Sequence, residues 1–165
     1  ATIALAQHIG PAYLRFGRPK VPNFTSEESK FLIGKGIILN EGSDVTIVAT
    51  GHLVWESLIA AEKLYAKGTS VEVINIHTIK PLDEKLIIES VKKTRAIVTA
   101  EEHNILGGLG ESISRTLSLN FPTPQEFIGT NDTFGESGTP NQLMKKYGLN
   151  SSNIISKVEK VLLRK

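Results

Sequence analysis

Residues 101–112, EEHNILGGLGES, place two carboxylates, a histidine and three glycines directly after the apolar run AIVTA. That composition suits three jobs: binding a dinucleotide, holding an anion, or only turning a strand into a helix. A dinucleotide fingerprint requires G-x-G-x-x-G, and here Gly108-Leu109-Gly110 is followed by Ile113 where the third glycine belongs. Gly107, Gly108 and Gly110 are therefore expected to serve backbone geometry, allowing a tight turn and close approach of the helix to the sheet. Free N–H groups at the start of that helix could hold an anion. Glu101 and Glu102 are consecutive at a strand end, so they face opposite ways and cannot share a proton as a catalytic pair. One of them can orient His103 or cap a neighbouring helix, and solvated rim charge is the plainer alternative.

His52, His77 and His103 each follow the end of an apolar, β-rich run. All three are expected along the carboxyl edge of one sheet, where open α/β sheets bind ligands. None has a partner ligand at a short fixed spacing, which favours separate polar rim positions over zinc. Arg15 and Arg18, in YLRFGR, are guanidinium groups suited to phosphate oxygens, with surface ion pairs as the competing reading. No serine sits in a nucleophile elbow, because Gly135-Glu136-Ser137-Gly138 lacks the spacing.

The elements that must position these residues repeat one grammar. VTIVA (45–49) ends at Thr50-Gly51, and 53–67 carries apolar residues at helical spacing up to Gly68. VEVINI (71–76), a helix over 83–93, AIVTA (96–100), the glycine turn and a helix near 110–119 repeat it. EFIG (126–129) adds a short strand, and helices over 140–147 and 151–163 follow, the second capped by Ser151 or Ser152. Alternating strands and helices imply right-handed crossovers and a parallel sheet. FLIGKGIIL is expected as a bent or edge strand, possible in the antiparallel sense. Upstream, a short helix over ATIALAQHI, one strand at GPAYLRF and the proline-interrupted GRPKVPNFTSEES read as a different unit. The fold class expected is three-layer α/β with a mostly parallel sheet of about five strands.

Nineteen basic against seventeen acidic residues leave a formal charge of +2. No basic stretch is interleaved with aromatics, so nucleic acid is not an expected partner. No apolar run approaches the ~20 residues of a membrane span. There is no cysteine, hence neither disulfides nor thiolate chemistry, and a reducing cytoplasm is the compartment expected. The chain opens on Ala without a signal-peptide pattern, and its start reads as a cut.

Taken in order, GPAYLRFGRPKVP, IGKGIILNEGSDVTIVATGHLVWESLIAAEKL, VEVINIHTIKPLD, TAEEHNILGGLGES and FGESGTPNQLMKKYGL closely resemble the C-terminal part of transketolases. The G-K-G, D-V-T-I-V-A-T-G and K-P-L-D stretches are similar across the wider thiamine diphosphate family. That family includes the β subunits of 2-oxo acid dehydrogenases and deoxyxylulose phosphate synthase, which stand as alternatives. Glu102-His103 ahead of the glycines, and Phe134–Gly138 before a helix ending in Tyr147-Gly148-Leu149, favour transketolase. The resemblance implies that residues 1–18 are the tail of a preceding pyrimidine-binding middle domain, 19–30 a linker and 31–165 the C-terminal domain. It implies transfer of a two-carbon ketol unit between sugar phosphates by the intact enzyme, a homodimer using thiamine diphosphate and a divalent metal such as Mg or Ca. The segment itself would bind neither. Its partners would be the N-terminal and middle domains, on the same or a separate chain. The family's substrate-phosphate arginine falls on Arg18, and no catalytic role carries onto the glycine turn. A non-catalytic module that supports assembly or binds a regulatory anion is the remaining alternative.

Overall fold

The computed structural model describes residues 1–17, 20–26 and 28–165. After a short helix α1 (Thr2–Ala6), the elements are β1 (Ile37–Asn40), β2 (Val45–Ala49), α2 (Leu53–Tyr65), β3 (Val71–Asn75) and α3 (Glu84–Thr94). They continue as β4 (Ile97–Asn104), α4 (Leu109–Asn120), β5 (Gln125–Thr130), α5 (Pro140–Lys146) and α6 (Ser151–Leu162). The five strands form one sheet in the order β1-β3-β2-β4-β5. β1 runs antiparallel to β3, and the other pairs are parallel. Helices cover both faces, which is the three-layer α/β domain the strand-helix grammar predicts.

β2 and β3 are buried at every position, as expected of parallel strands covered on two sides, and this explains their unbroken apolar runs. Val45, Ile47 and Ala49 pack with Leu53 and Leu64 of α2 and with Ile154 and Val158 of α6. Val48, Ile74 and Ile97 point the other way, toward Ile87 and Val91 of α3 and Ile113 of α4. Each such side chain removed from water contributes about 1.5–3 kcal/mol.

The G-K-G and K-P-L-D stretches meet at one carboxylate. Asp83 caps α3, accepting from Leu86 N at 3.4 Å, and also accepts from Gly36 N at 3.1 Å. A Cβ on Gly36 would lie 2.7 Å from Ile76 Cδ1 and Leu86 Cδ2, so any larger residue there would require those side chains to shift. That turn occupies the first half of FLIGKGIIL, and only Ile37–Asn40 pairs as the antiparallel edge strand. The GPAYLRF run, expected as a strand, forms no regular secondary structure over residues 11–17. Alternation makes a strand only where a neighbour supplies hydrogen bonds, and Tyr13 and Phe16 stand exposed.

Two buried carboxylates fasten helices to the sheet. Glu72 of β3 is fully buried and is bonded by Ser90 and Lys93 of α3. Glu126 of β5 accepts from Lys157 Nζ at 3.0 Å, Lys160 Nζ at 3.1 Å and Arg164 Nη1 at 2.8 Å, all from the last helix and its end. Burial pushes the Glu126 carboxyl up, but the three cations outweigh it and hold the group below the ordinary carboxylate range. A carboxyl whose pKa is depressed by folding stabilises the fold above the unfolded value and loses that stabilisation as pH falls through the folded one. Wild-type stability should therefore fall below pH ~4, and Glu126→Gln should lower stability at neutral pH while flattening that acid limb. Urea midpoints measured across pH check it; parallel wild-type and variant profiles would remove Glu126 as the cause.

Candidate functional site

Chain direction places a switch point in the middle of the sheet. From β2 the chain crosses through α2 to β3 on one side, whereas β4 lies on the other side of β2. The crevice outside the carboxyl ends of such strands is the usual ligand position in open α/β sheets. Here a cleft of about 1190 Å³ opens at that place, lined by His52, Trp55, Glu102 and His103 among others.

His52 is the residue preceding α2, and its Nδ1 lies 2.9 Å from Glu102 Oε2 of β4, joining the two strand ends. Arg15 Nη2 donates to the Glu102 carbonyl at 3.3 Å, which holds the upstream segment over this edge. His103 is half-exposed; its Nδ1–H donates to the Asn104 carbonyl at 2.8 Å, and it sits 4.0 Å from Glu101 Oε2. The facing wall comes from α5, Tyr147 and the start of α6. Glu56 of α2 ties that wall down by accepting from Ser151 N at 2.7 Å. The cap of α6 is Asn150, whose Oδ1 accepts from Asn153 N at 3.1 Å, in place of the serines expected.

β4 runs four residues beyond the AIVTA stretch, through EEHN. The alternation expected for Glu101 and Glu102 follows: the first is buried and the second exposed. Glu101 accepts from Leu109 N at 2.7 Å and from Gly110 N at 2.8 Å. The first turn of α4, where an external anion was one option, is thus satisfied by the chain's own carboxylate, a favourable charge at a helix N-terminus. The glycines make room for it. Gly107 has φ +75°, and a Cβ on Gly108 would lie 2.2 Å from Glu101 Oε2. A Cβ on Gly110 would lie 2.6 Å from Phe127 Cδ1. Gly108→Ala is expected to cost about 1–2 kcal/mol, the worth of a helix cap displaced by overpacking. Gly135, whose Cβ would meet nothing within 4 Å, should tolerate alanine. Urea midpoints of the two variants compare them directly, and equal midpoints would show that Glu101 yields freely.

His77 lies apart from the cleft, beyond the end of β3. Its Nδ1 is 2.9 Å from Thr78 Oγ1, Phe31 stacks on it with ring centroids 4.1 Å apart, and Nε2 is buried with no partner among the described residues. Burial holds its pKa below the ordinary imidazole value. The fold thus brings His52 and His103 to one cleft and sets His77 elsewhere. Arg18 lies outside the described residues; Arg15 and Lys20, on either side of it in sequence, line the cleft. Among the described residues no three histidine, aspartate or glutamate side chains converge as a metal site. Trp55 and Tyr147 also line the cleft, and sequence reasoning passed over both. Trp55 in the first turn after a strand end was the available signal.

Comparison with known proteins gives a consistent picture. The family described as Transketolase, C-terminal domain, matches residues 34–154. The 6-deoxy-6-sulfo-D-fructose transketolase subunit of Clostridium sp. is 43% identical over 158 residues, covering 96% of this chain and 49% of that protein. The 1-deoxy-D-xylulose-5-phosphate synthase of Heliobacterium modesticaldum is 37% identical over 151 residues, covering 90% of this chain and 23% of that protein. A solved structure described as a split gene transketolase, inactive beta4 tetramer, superposes with a TM-score of 0.86 at 44% identity, over 89% of this chain and 48% of that one. The chain thus spans about half the length of that subunit and of that solved chain.

Proposed function

Because the chain belongs to the transketolase family through its C-terminal domain, we propose that it is the C-terminal section of an enzyme that moves a two-carbon ketol unit between sugar phosphates. The observation that carries this reading is 43% identity across nearly the whole chain to a transketolase subunit. Deoxyxylulose phosphate synthase, also a thiamine diphosphate enzyme, is the second reading, supported by 37% identity. His103 after Glu102 weighs for the first, since the synthase resemblance would place asparagine there.

In this reading residues 1–18 end a middle domain, 19–30 link, and 31–165 form the C-terminal domain. Arg18 grips the substrate phosphate. Thiamine diphosphate supplies the carbanion chemistry, held with its metal by other domains. The described residues do not fit that group: no set of three acidic or histidine ligands converges, and Glu101, Glu126 and Asp83 are spent on backbone and lysine or arginine partners. No catalytic step is therefore assigned to this chain. It serves assembly, joining N-terminal and middle domains on the same or a separate polypeptide, in a dimer of the intact enzyme.

The test is reconstitution. The chain is combined with polypeptide supplying the remaining domains, thiamine diphosphate and Mg²⁺, and assayed with a ketose phosphate donor and an aldose phosphate acceptor. Release of the shortened aldose phosphate together with a lengthened ketose supports ketol transfer. Condensation of pyruvate with glyceraldehyde 3-phosphate, and no ketol transfer, would favour the synthase.

A further inference from the structure

We propose that His77 is a pH-sensitive latch on the segment leading into β1: Phe31 stays stacked on the neutral imidazole and lifts away when the ring takes a second proton. The latch works whatever reaction the intact assembly carries out. The two ring centroids lie 4.1 Å apart, with the planes tilted by 30°. Nδ1 sits 2.9 Å from Thr78 Oγ1, a hydroxyl that can donate to a bare nitrogen or accept from an N–H. That nitrogen is satisfied in either protonation state. Nε2 is buried and has no hydrogen-bond partner among the described residues. A second proton would put an N–H and a positive charge beneath an apolar ring with nothing to accept them, and a buried unpaired charge costs far more than a buried neutral nitrogen.

The Phe31 side is the one that gives way. On the other side Ile76 is buried, and its N–H donates to the Ala49 carbonyl of β2 at 2.9 Å. Residues 28–36 contain neither helix nor strand, and Leu32 and Ile33 are exposed, so little apolar burial holds this segment down. Phe31 can swing about the Leu32–Lys35 turn, where Gly34 has φ +79°, while β1 stays paired. The charges around the ring do not shelter an imidazolium. Glu28 and Lys30 on the covering segment and Lys80 on the following loop are exposed. Lys35 lies 3.7 Å from Asp83, whose carboxylate also takes the Gly36 and Leu86 amides. The carboxylates found beside histidines belong to His52 and His103. Burial, and then the Ala1 ammonium, hold His77 below the ordinary imidazole value. A histidine lowered in this way favours the closed cover fully above that ordinary value and loses the contribution as pH falls toward the closed-state value. With Phe31 released, Arg15 on the Glu102 carbonyl is left to hold the upstream segment to the sheet edge.

The chain is titrated by NMR between about pH 7.5 and 5, a window that spans the ordinary imidazole value and stays above the acid limb assigned to Glu126. Two signals are followed: the His77 ring protons, which report its protonation, and the nuclear Overhauser contact between the rings of residues 31 and 77. The contact should be present at the upper pH and disappear in step with His77 protonation. Phe31→Ala, in a segment without regular structure where folding is not at stake, should raise the His77 pKa toward the ordinary value, because coupling between cover and proton is reciprocal. His77→Phe keeps an aromatic ring beneath Phe31 and removes the titrating nitrogen, so its contact with residue 31 should persist across the whole range. A Phe31 contact that survives protonation of His77 overturns the latch. So does an unchanged His77 pKa in Phe31→Ala, or loss of the contact at the same pH in His77→Phe.

Discussion

Titrated with thiamine diphosphate and Mg²⁺, the chain by itself is expected to show no saturable heat and to turn over no ketose phosphate, whereas assembly with the remaining domains should restore both. The expected difference is all-or-none, because among the described residues no three histidine, aspartate or glutamate side chains converge. A metal-bound diphosphate requires several oxygen ligands held at fixed distances. In this domain the buried carboxylates point at lysines, an arginine and backbone amides: Glu72 at Lys93, Glu126 at three cations, Glu101 at the start of α4. Freeing Glu101 would leave the buried amides of Leu109 and Gly110 unsatisfied, at about 1–3 kcal/mol per group. Micromolar, stoichiometric cofactor binding to the chain alone would mean that a ligand set exists which the fold does not suggest.

The same carboxylates mark where sequence reading stops. VTIVA, VEVINI and AIVTA are legible as strands, because burial on both faces leaves an apolar run that local propensity reinforces. That they run parallel follows from the helical crossovers between them; their order in the sheet, β1-β3-β2-β4-β5, does not. Glu72 within VEVINI and Glu126 within QEFIGT look like solvent-facing positions, since the lysines and arginine that neutralise them lie 21 to 38 residues away, on helices or just past the end of one. Pairing across that distance has no local signature. Glu101 is half legible: alternation sets it on the face opposite Glu102, and capping a helix is among the roles open to one of the two, but only the fold reveals which of them is buried and that the amides it takes belong to α4.

The cleft divides in the same way. His52 and His103 can be placed at the carboxyl edge of the sheet because each follows an apolar, β-rich run, and both line the cleft there. His77 shares that signature yet is covered by Phe31, since the segment entering β1 crosses the end of β3. The facing wall, from Tyr147 and Ser152, arrives after two further loops, and periodicity says nothing of where a closing helix pair will lie. GPAYLRF failed as a strand for a related reason: alternation specifies which face is apolar, and a sheet edge must still be within reach.

Replacing Arg18 by alanine in the intact enzyme should weaken phosphorylated substrates roughly tenfold to a hundredfold, equal to about 1.5–3 kcal/mol for a charge-assisted contact. The expectation rests on the resemblance of YLRFGR to the family's substrate-phosphate segment, and on Arg15 and Lys20, its neighbours in sequence, lining the cleft. A guanidinium that clamps phosphate contributes nothing to a donor without one. The loss should thus appear in kcat/KM for a ketose phosphate and be nearly absent for hydroxypyruvate. Arg18→Lys should recover only part of it, because an ammonium keeps the charge and gives up the bidentate geometry. An exposed ion pair would be worth about 0–1 kcal/mol and would treat both donors alike. Equal losses for the two donors, or none, would take the phosphate contact away from Arg18.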